Sequence, residues 1–254
     1  LEADVVFTNS AGIHASPMAE TALAMILHFF RGLDFATRNQ VRRRWDTGPF
    51  YDAGTPVREL SRATVGIVGF GGVGREVARR CLALGASVVA VRRTGPAEEV
   101  VELATVDGRG PAGEVTVLTG RHALEGLAAR SDVLVVAVPE TEATRGMIDA
   151  GVLARLPAGA VLLNLARGRV VDEDAVVVAL RRGPLRGAGL DVFATEPLPP
   201  GSPLWELDGT LVTPHVSAVT DAFWERETEL IADNVRRLRS GRSLRNVVDR
   251  RAGY

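Results

Sequence analysis

The sequence predicts an α/β fold with a doubly wound, parallel sheet. From Thr64 onward, short apolar runs alternate with helical patterns, which is typical of a sheet covered by helices on both faces. The run Val133–Val138 is almost continuously apolar, as a strand buried on both faces requires. The 254 residues, 46% of them hydrophobic, suffice for one large domain or for one domain and part of another.

The first predicted element is a helix that begins near Ser16. Ser16 suits the N-cap and Pro17 the first helical position, and apolar residues continue at helical spacing over residues 22–30. The later segment 42–60 is rich in Arg, Gly and Pro. It is predicted to be a loop or an arm.

The remaining elements follow the alternating pattern. The polar, Gly- and Pro-rich stretch 94–114 interrupts this pattern, and most of it is predicted to carry no strand or helix. The predicted strands are Val65–Val68, Ser87–Val91, Val115–Leu118, Val133–Val138, Val161–Leu165, Ala188–Val192 and Leu211–Thr213. The predicted helices are Gly72–Leu84, His122–Ala129, 149–155, 173–182 and 222–239.

Composition excludes several classes of function. All 30 basic residues are arginine and 31 residues are acidic, so no charge excess indicates a nucleic-acid or membrane partner. Without lysine, Schiff-base chemistry, a Walker A loop and a Tyr-x-x-x-Lys catalytic centre are excluded. Cys81 is the single cysteine, which excludes an internal disulfide and a cysteine-rich zinc site. We expect a buried thiol, no bound metal and a cytoplasmic setting.

A glycine-rich motif follows the first strand of the alternating pattern. The segment Gly69-Phe70-Gly71-Gly72-Val73-Gly74 has the spacing G-x-G-x-x-G and lies between a strand and a helix, which is the context of a dinucleotide-binding turn in a Rossmann-type sheet. The residues expected to bind the dinucleotide are Gly69, Gly71, Gly72, Val73 and Gly74. The alternative is a glycine-rich turn without a ligand.

The next predicted strand ends in arginine. When NAD is bound, a carboxylate that holds the ribose hydroxyls is expected about 20 residues after the glycines, but Arg92 and Arg93 stand there. A guanidinium suits a 2′-phosphate through bidentate, charge-assisted hydrogen bonds. The cofactor is therefore expected to be NADP or NAD, with NADP favoured. The alternative is that both arginines are solvated.

Three further candidates follow three later strands. Arg167, Glu196 and His215 come shortly after strand ends, and ligands of open α/β sheets bind beyond the carboxyl ends of the strands. Reduction of a 2-oxo acid needs a cation for the carboxylate and carbonyl, an acid for the new alkoxide, and a group that keeps this acid protonated. Arg, His and Glu supply these roles. The alternatives are a surface ion pair, a turn residue and an uninvolved histidine.

The chain resembles the D-isomer-specific 2-hydroxyacid dehydrogenases over nearly its whole length. The resemblance rests on Gly69–Gly74, Val138-Pro139 with Thr144-Arg145-Gly146, Asn164–Gly168, Leu190–Pro197 and Pro214-His215. It implies that Arg167 binds the substrate, that Glu196 is the acid partner and that His215 is the proton donor. It also implies that Asp191 lies near the nicotinamide carboxamide and that Pro139 and Thr144 line the cofactor cleft. The acid that the family usually carries at position 92 is absent.

The resemblance further implies a second, flavodoxin-like substrate domain, of which the chain holds remnants. Residues 1–15 match the tail of that domain, residues 16–220 the dinucleotide-binding domain, and residues 221–254 a C-terminal helix that returns to the substrate domain. Because the chain opens at Leu1 without Met, a fragment or a truncated copy is expected. Family dimers use the region of Arg42–Arg44, which implies a homodimer; the alternative is a solvated basic face.

The residues and the resemblance together predict an NAD(P)-dependent dehydrogenase that moves a hydride between NAD(P)H and a small 2-oxo or 2-hydroxy acid, as in glyoxylate/hydroxypyruvate reductases. Two other classes stay open. One is a non-catalytic dinucleotide-sensing module or an inactive truncated paralogue, and the other is a Rossmann-like methyltransferase or another NAD enzyme. Of the remaining histidines, His14 is expected in a polar loop, His28 in the core or an interface, and His122 in solvent.

Overall fold

The computed structural model describes residues 5–52 and 54–250, with an eight-stranded sheet at the centre. The strands are β1 (Thr64–Val68), β2 (Ser87–Val91), β3 (Glu98–Ala104), β4 (Pro111–Leu118), β5 (Val133–Val136), β6 (Ala160–Asn164), β7 (Leu185–Leu190) and β8 (Thr210–Val212). Their order is β3-β4-β2-β1-β5-β6-β7-β8. All neighbouring pairs are parallel except β3 with β4. The predicted α/β class and doubly wound sheet are confirmed.

Helices cover both faces of the sheet. The helices are α1 (Ala15–Phe30), α2 (Leu33–Val41), α3 (Gly48–Tyr51), α4 (Gly72–Ala83), α5 (Ala123–Ala128), α6 (Ala150–Leu153), α7 (Glu173–Arg182) and α8 (Phe223–Arg239). Helices α1 and α4 share one buried apolar cluster with the sheet, and α5, α6 and α7 share the other. All four residues of β5 are buried, because this central strand is covered on both sides.

The order of the strands reverses at β1. This strand pairs with β2 on one side and with β5 on the other, so the connections that leave β1 and β5 run to opposite halves of the sheet. The crevice beyond the carboxyl ends of two such strands is the usual ligand site of an open α/β sheet. The fold therefore places the turn after β1 and the chain after β5 at the two walls of one crevice.

The first helix begins one residue before Ser16. Helix α1 starts at Ala15, and its N-cap is His14, whose side chain makes no capping hydrogen bond. The prediction that Ser16 is the N-cap is therefore wrong. The Ser16 hydroxyl instead accepts a hydrogen bond of 2.7 Å from the guanidinium of Arg80 on α4. A contact between two helices thus uses the side chain that was expected to cap α1.

The stretch 94–114 contains a strand and part of a second one, so the prediction that most of it carries neither is wrong. It includes β3 and the first residues of β4, which pair antiparallel at the sheet edge. Leu103 is 2% exposed and packs in the same cluster as α4. The alternation of apolar and polar residues along β3 is weak, because the apolar residue Val100 lies on the outer side of the strand, where it is 58% exposed.

Segments near the two ends of the described chain lie side by side. Thr8 and Val247 form an isolated antiparallel bridge, so the predicted tail and the predicted C-terminal segment are in contact. The division into domains stays a prediction, and residues 1–4 and 251–254 of these segments lie outside the described residues. No helix in the described part of the chain is long and apolar enough to cross a membrane.

Candidate active site

The glycine-rich turn joins β1 to α4 where the order of the strands reverses. Gly69 has a φ of +102°, and a Cβ at this position would lie 2.6 Å from the carbonyl oxygen of Ala137. Its N–H donates a hydrogen bond of 3.0 Å to the carbonyl oxygen of Val91. Only glycine combines this backbone conformation with so close an approach, so the turn is fixed against the ends of β2 and β5.

The later glycines of the turn have different surroundings. A Cβ at Gly71 would meet nothing within 4 Å, whereas one at Gly74 would lie 2.1 Å from the carbonyl oxygen of Gly69. Gly72 begins α4, while Val73 packs against the apolar cluster. A pyrophosphate needs an accessible backbone at a helix N-terminus, where free N–H groups and the helix dipole favour negative charge. The open space at Gly71 fits that need.

The chain after β5 forms the facing wall of the crevice. A Cβ at Gly69 would also lie 2.8 Å from Cγ1 of Val138. The Thr144 hydroxyl donates to the carbonyl oxygen of Pro139 at 2.7 Å and accepts from the N–H of Thr141 at 2.8 Å. These bonds close the turn beside the glycines. Contact of Pro139 and Thr144 with a cofactor stays a prediction.

Arg92 leaves β2 close to the glycine-rich turn. Its guanidinium pairs with the carboxylate of Glu99 on β3, and the Arg92 side chain is 26% exposed. Arg92 is therefore not simply solvated at the strand end; Arg93 is the more exposed of the two residues. Binding of a 2′-phosphate by these arginines stays a prediction. Sequence reasoning missed Glu99, because it lies within the stretch that was expected to carry no strand.

Arg167 is exposed in a turn at the carboxyl end of β6. The buried Asn164 side chain accepts from the N–H of Ala166 and donates to the carbonyl oxygen of Arg167, each at 3.1 Å. A Cβ at Gly168 would lie 1.8 Å from the backbone of Phe193. The turn can therefore pack directly against the chain after β7, which carries Glu196.

Glu196 and His215 are directly hydrogen-bonded. Oε2 of Glu196 lies 2.8 Å from Nδ1 of His215, and Oε1 accepts from the N–H of Phe193 at 2.9 Å. Burial acts to raise the pKa of Glu196, but the hydrogen bonds from His215 and Phe193 and the charges of His215 and Arg167 lower this pKa overall. Glu196 is thus an anion that orients the imidazole and leaves Nε2 to exchange a proton with a ligand.

Asp191 holds the loop that carries His215. Its carboxylate accepts from the Thr213 hydroxyl at 2.5 Å, from the N–H of Val216 at 2.9 Å and from the N–H of Ser217 at 2.9 Å. His215 has a left-handed φ of +57°, which costs free energy in a residue other than glycine. The three bonds flank His215 and stabilise this conformation. Contact of Asp191 with a nicotinamide stays a prediction.

An apolar cavity of about 410 Å³ adjoins the Glu196–His215 pair. Leu198, Trp205 and Val212 contribute to its wall. The two side chains of the pair remain 36% and 47% exposed, respectively. The pair therefore lies at an open site with one apolar side.

The remaining histidines and the cysteine lie outside this site. His14 lies in the turn before α1 and is hydrogen-bonded to Glu227 at 2.8 Å, as expected of a residue in a polar loop; it is 8% exposed and stacks on Phe223 of α8. His28 is half-buried and His122 is exposed. Cys81 is buried as predicted, and burial raises the pKa of its thiol to about 12. The described residues contain no group of three or more His, Cys, Asp or Glu arranged to hold a metal ion.

Comparison with known families gives a match over most of the chain. The family model described as "D-isomer specific 2-hydroxyacid dehydrogenase, NAD binding domain" matches residues 23–217. The match includes the glycine-rich turn and the positions of Arg167, Glu196 and His215.

Curated relatives differ in how much of their own length the chain spans. A D-3-phosphoglycerate dehydrogenase of Mycobacterium bovis is 36% identical over 249 residues, which are 96% of this chain and 42% of the relative. The chain thus spans less than half of that protein. An (S)-sulfolactate dehydrogenase of Chromohalobacter salexigens is 35% identical over 93% of this chain and 71% of the relative.

Solved structures show the same fold. A D-isomer-specific 2-hydroxyacid dehydrogenase from Xanthobacter autotrophicus Py2, in complex with NADPH and MES, is 36% identical with a TM-score of 0.82, over 99% of this chain and 95% of that chain. An NADPH-dependent glyoxylate/hydroxypyruvate reductase from Sinorhizobium meliloti, in complex with NADP and sulfate, is 30% identical with a TM-score of 0.77, over 100% of this chain and 74% of that chain.

Proposed function

The chain belongs to the D-isomer-specific 2-hydroxyacid dehydrogenase family, and from this premise we propose that it is an NAD(P)-dependent oxidoreductase of small 2-oxo and 2-hydroxy acids. The observation that carries the proposal is the hydrogen bond between Glu196 and His215. A carboxylate bound to one ring nitrogen leaves the other to donate or accept a proton, which is the arrangement of a positioned general acid–base group.

His215 supplies the proton of the reaction. In the reductive direction, its imidazolium donates from Nε2 to the alkoxide that forms at C2 of the substrate, and in the oxidative direction the neutral ring takes this proton back. Glu196 stays ionised because its pKa is lowered, and its hydrogen bond to Nδ1 of His215 holds the ring in one orientation. The adjoining cavity gives the pair one apolar side against which a substrate can pack.

Arg167 binds the acid substrate. Arg167 is exposed at the end of β6. Its Nη1 donates to the carbonyl oxygen of Ala166 at 2.7 Å, and its remaining N–H groups can hold a carboxylate by two parallel hydrogen bonds. The same positive charge stabilises the negative charge that develops on the carbonyl oxygen. Arg167 therefore orients the 2-oxo acid with its carbonyl toward His215.

The glycine-rich turn is the proposed site for the dinucleotide. The backbone at Gly71 has open space around it, and the N-terminus of α4 favours the pyrophosphate charge. When bound, the nicotinamide supplies or accepts the hydride. Asp191 contributes by fixing the loop of His215, so that the proton donor keeps one position.

The test combines binding with turnover. NADPH and NADH binding is measured by fluorescence, and oxidation of the reduced cofactors is then followed with glyoxylate, hydroxypyruvate and pyruvate. We expect binding, and turnover of at least one of these acids. Binding without turnover of any of them would contradict the proposed activity and favour the dinucleotide-sensing module.

Two variants assign the roles. We expect His215→Gln to lower kcat/KM by about 100- to 10,000-fold, the usual contribution of a positioned acid–base group. We expect Arg167→Gln to lower it by about 100- to 1,000-fold, the usual cost of removing a group that stabilises a developing oxyanion. Both variants are expected to leave dinucleotide binding intact. The matched controls are His122→Gln, with a side chain 77% exposed, and Arg169→Gln, also exposed. Equal losses in a variant and its control would contradict the assigned role.

The proposal extends to a cytoplasmic homodimer. The arm formed by α2, α3 and the chain between them exposes large apolar side chains: Val41 and Tyr51 are each 85% exposed and Trp45 is 97% exposed. Aromatic side chains are enriched in protein interfaces, and two of these three residues are aromatic. The single, buried cysteine is compatible with a reducing compartment.

A further inference from the structure

We propose that Glu99 is a second determinant of cofactor choice. Its carboxylate reduces the preference for NADPH that Arg92 alone would give, so that the chain binds NADH as well. The inference rests on the proposed binding of a dinucleotide at the glycine-rich turn. It is carried by the ion pair between the Arg92 guanidinium and the Glu99 carboxylate.

The backbone places Arg92 beside the proposed cofactor site. The carbonyl oxygen of Val91 accepts from the N–H of Gly69 at 3.0 Å, and the N–H of Arg92 donates to the carbonyl oxygen of Leu118 at 3.1 Å. Arg92 therefore leaves β2 between the glycine-rich turn and the end of β4. In a sheet of this type, the residue at this strand end meets the ribose of the adenosine.

The β3–β4 hairpin brings Glu99 to the same place. Glu99 lies opposite Val117 in the antiparallel pair and, by the alternation along β3, on the inner side together with Leu103. The chain between Arg92 and β3 is held to Thr119, whose hydroxyl donates to the carbonyl oxygen of Pro96 at 2.7 Å and whose N–H donates to that of Ala97 at 2.9 Å. The approach of Glu99 to Arg92 is thus built into the edge of the sheet.

The guanidinium of Arg92 is confined in this position. A Cβ at Gly95 would lie 2.4 Å from Nη2 of Arg92, so the backbone of Gly95 lies directly against it. Nε of Arg92 is buried and has no hydrogen-bond partner among the described residues. Glu99 is 39% exposed and Arg92 is 26% exposed. A ligand at the ribose position thus meets a cation and an anion together.

The two cofactors differ in the group that they present to this pair. NADPH carries a 2′-phosphate, which the guanidinium attracts and the carboxylate repels. NADH carries a 2′-hydroxyl, which can donate a hydrogen bond to the carboxylate. Glu99 therefore supplies from β3 the carboxylate that the end of β2 lacks. It also acts as the repulsive element that specificity often requires.

The test is the ratio of the dissociation constants for NADH and NADPH in Glu99→Gln. This variant removes the negative charge and keeps the size of the side chain. We expect the ratio to rise by about tenfold or more in favour of NADPH, which equals about 1.4 kcal/mol. Adenosine 2′,5′-bisphosphate and ADP, measured by calorimetry, are expected to show the same change without any nicotinamide. Glu99→Ala is the second variant, and thermal melting verifies that both variants fold.

Glu102→Gln is the matched control. Glu102 lies on the same strand and on its outer side, so the variant loses the same charge without touching Arg92. We expect its ratio to stay within about twofold of the native one, since exposed charges at a distance are screened. Equal ratios in Glu99→Gln and Glu102→Gln, with native binding intact, would overturn the role of Glu99 alone. Failure of the native chain to bind either dinucleotide would overturn the proposed function and the role of Glu99 with it.

Discussion

The carboxylate of Asp191 is completely buried and accepts three hydrogen bonds from the loop of His215. Burial acts to raise the pKa of Asp191, but the hydrogen bonds from Ser217, Thr213 and Val216 lower this pKa overall. The carboxylate is therefore ionised at neutral pH. At the scale of single residues, its hydrogen bonds to residues on both sides of His215 stabilise the positive φ of that residue.

Asp191→Asn is expected to destabilise the fold. The amide presents an N–H₂ group to at least one of the three donors, and loss of a hydrogen bond to a buried charged group costs about 1.5–3 kcal/mol of the free energy of unfolding. Urea unfolding at neutral pH measures this loss. Asp208→Asn, at a side chain 79% exposed, is the control and is expected to change stability little. Equal stabilities of Asp191→Asn and the native chain would contradict the role of Asp191.

The pH dependence of this difference has a definite sign. The pKa of Asp191 is lower in the folded chain than in the unfolded chain. Its stabilising contribution is therefore complete above the unfolded value of about 3.9 and is lost as the pH falls through the folded value. Urea unfolding repeated at decreasing pH is thus expected to show a shrinking difference between the native chain and Asp191→Asn.

At the scale of elements, the turn between β1 and α4 contains two kinds of glycine: two that the fold requires and one that is open to a ligand. Gly69 and Gly74 approach the backbone so closely that a side chain has no room, while Gly71 has free space around it. A substitution at Gly74 therefore acts on packing. One at Gly71 acts on the space that a pyrophosphate would occupy.

Gly74→Ala and Gly71→Ala are expected to change different properties, the stability of the fold and the binding of the dinucleotide, respectively. Gly74→Ala places a methyl group against the carbonyl oxygen of Gly69, so it lowers the melting temperature by several degrees, as a strain of about 1–3 kcal/mol does. Gly71→Ala keeps a melting temperature near that of the native chain and weakens dinucleotide binding. Thermal melting and fluorescence titration measure the two effects. A native-like affinity of a folded Gly71→Ala would argue against a pyrophosphate at this turn.

At the scale of the whole molecule, the arm carries apolar side chains that the described chain does not cover. Trp45 and Tyr51 are almost fully exposed. The neighbouring run Arg42–Arg44 adds positive charge to this part of the chain. Aromatic residues and arginine are enriched in protein interfaces. These features support the proposed homodimer, with the arm as its interface.

The double variant Trp45→Ser, Tyr51→Ser is expected to shift the protein from dimer to monomer, because these large side chains supply the central contacts of the proposed interface. Sedimentation velocity at several concentrations measures the shift. Trp224→Ser, at an indole on α8 that is 75% exposed, is the control and is expected to leave the dimer intact. A native chain that sediments as a monomer would exclude the proposed dimer.

The alternation of strands and helices, the dinucleotide-type glycine turn and the choice of Arg167, Glu196 and His215 as candidates could all be predicted from the sequence. These features are local: periodicity sets an element, glycine spacing sets a turn, and position after a strand sets the edge of the sheet where a side chain lies. Because each of the three candidates follows a predicted parallel strand, the sequence was enough to place them at one edge of the sheet. Their chemical types were enough to suggest a reaction.

Only the tertiary structure decided which side chains meet. The β3–β4 hairpin, the pairing of Glu99 with Arg92, the burial of His14 by Phe223 and the bonds from Asp191 to the loop of His215 depend on contacts between segments that periodicity does not connect. Ser16 is a further example, because its hydroxyl accepts a hydrogen bond from Arg80 of another helix instead of capping its own. Such contacts are set by packing and by the pairing of buried polar groups, which act through space and leave no pattern along the chain.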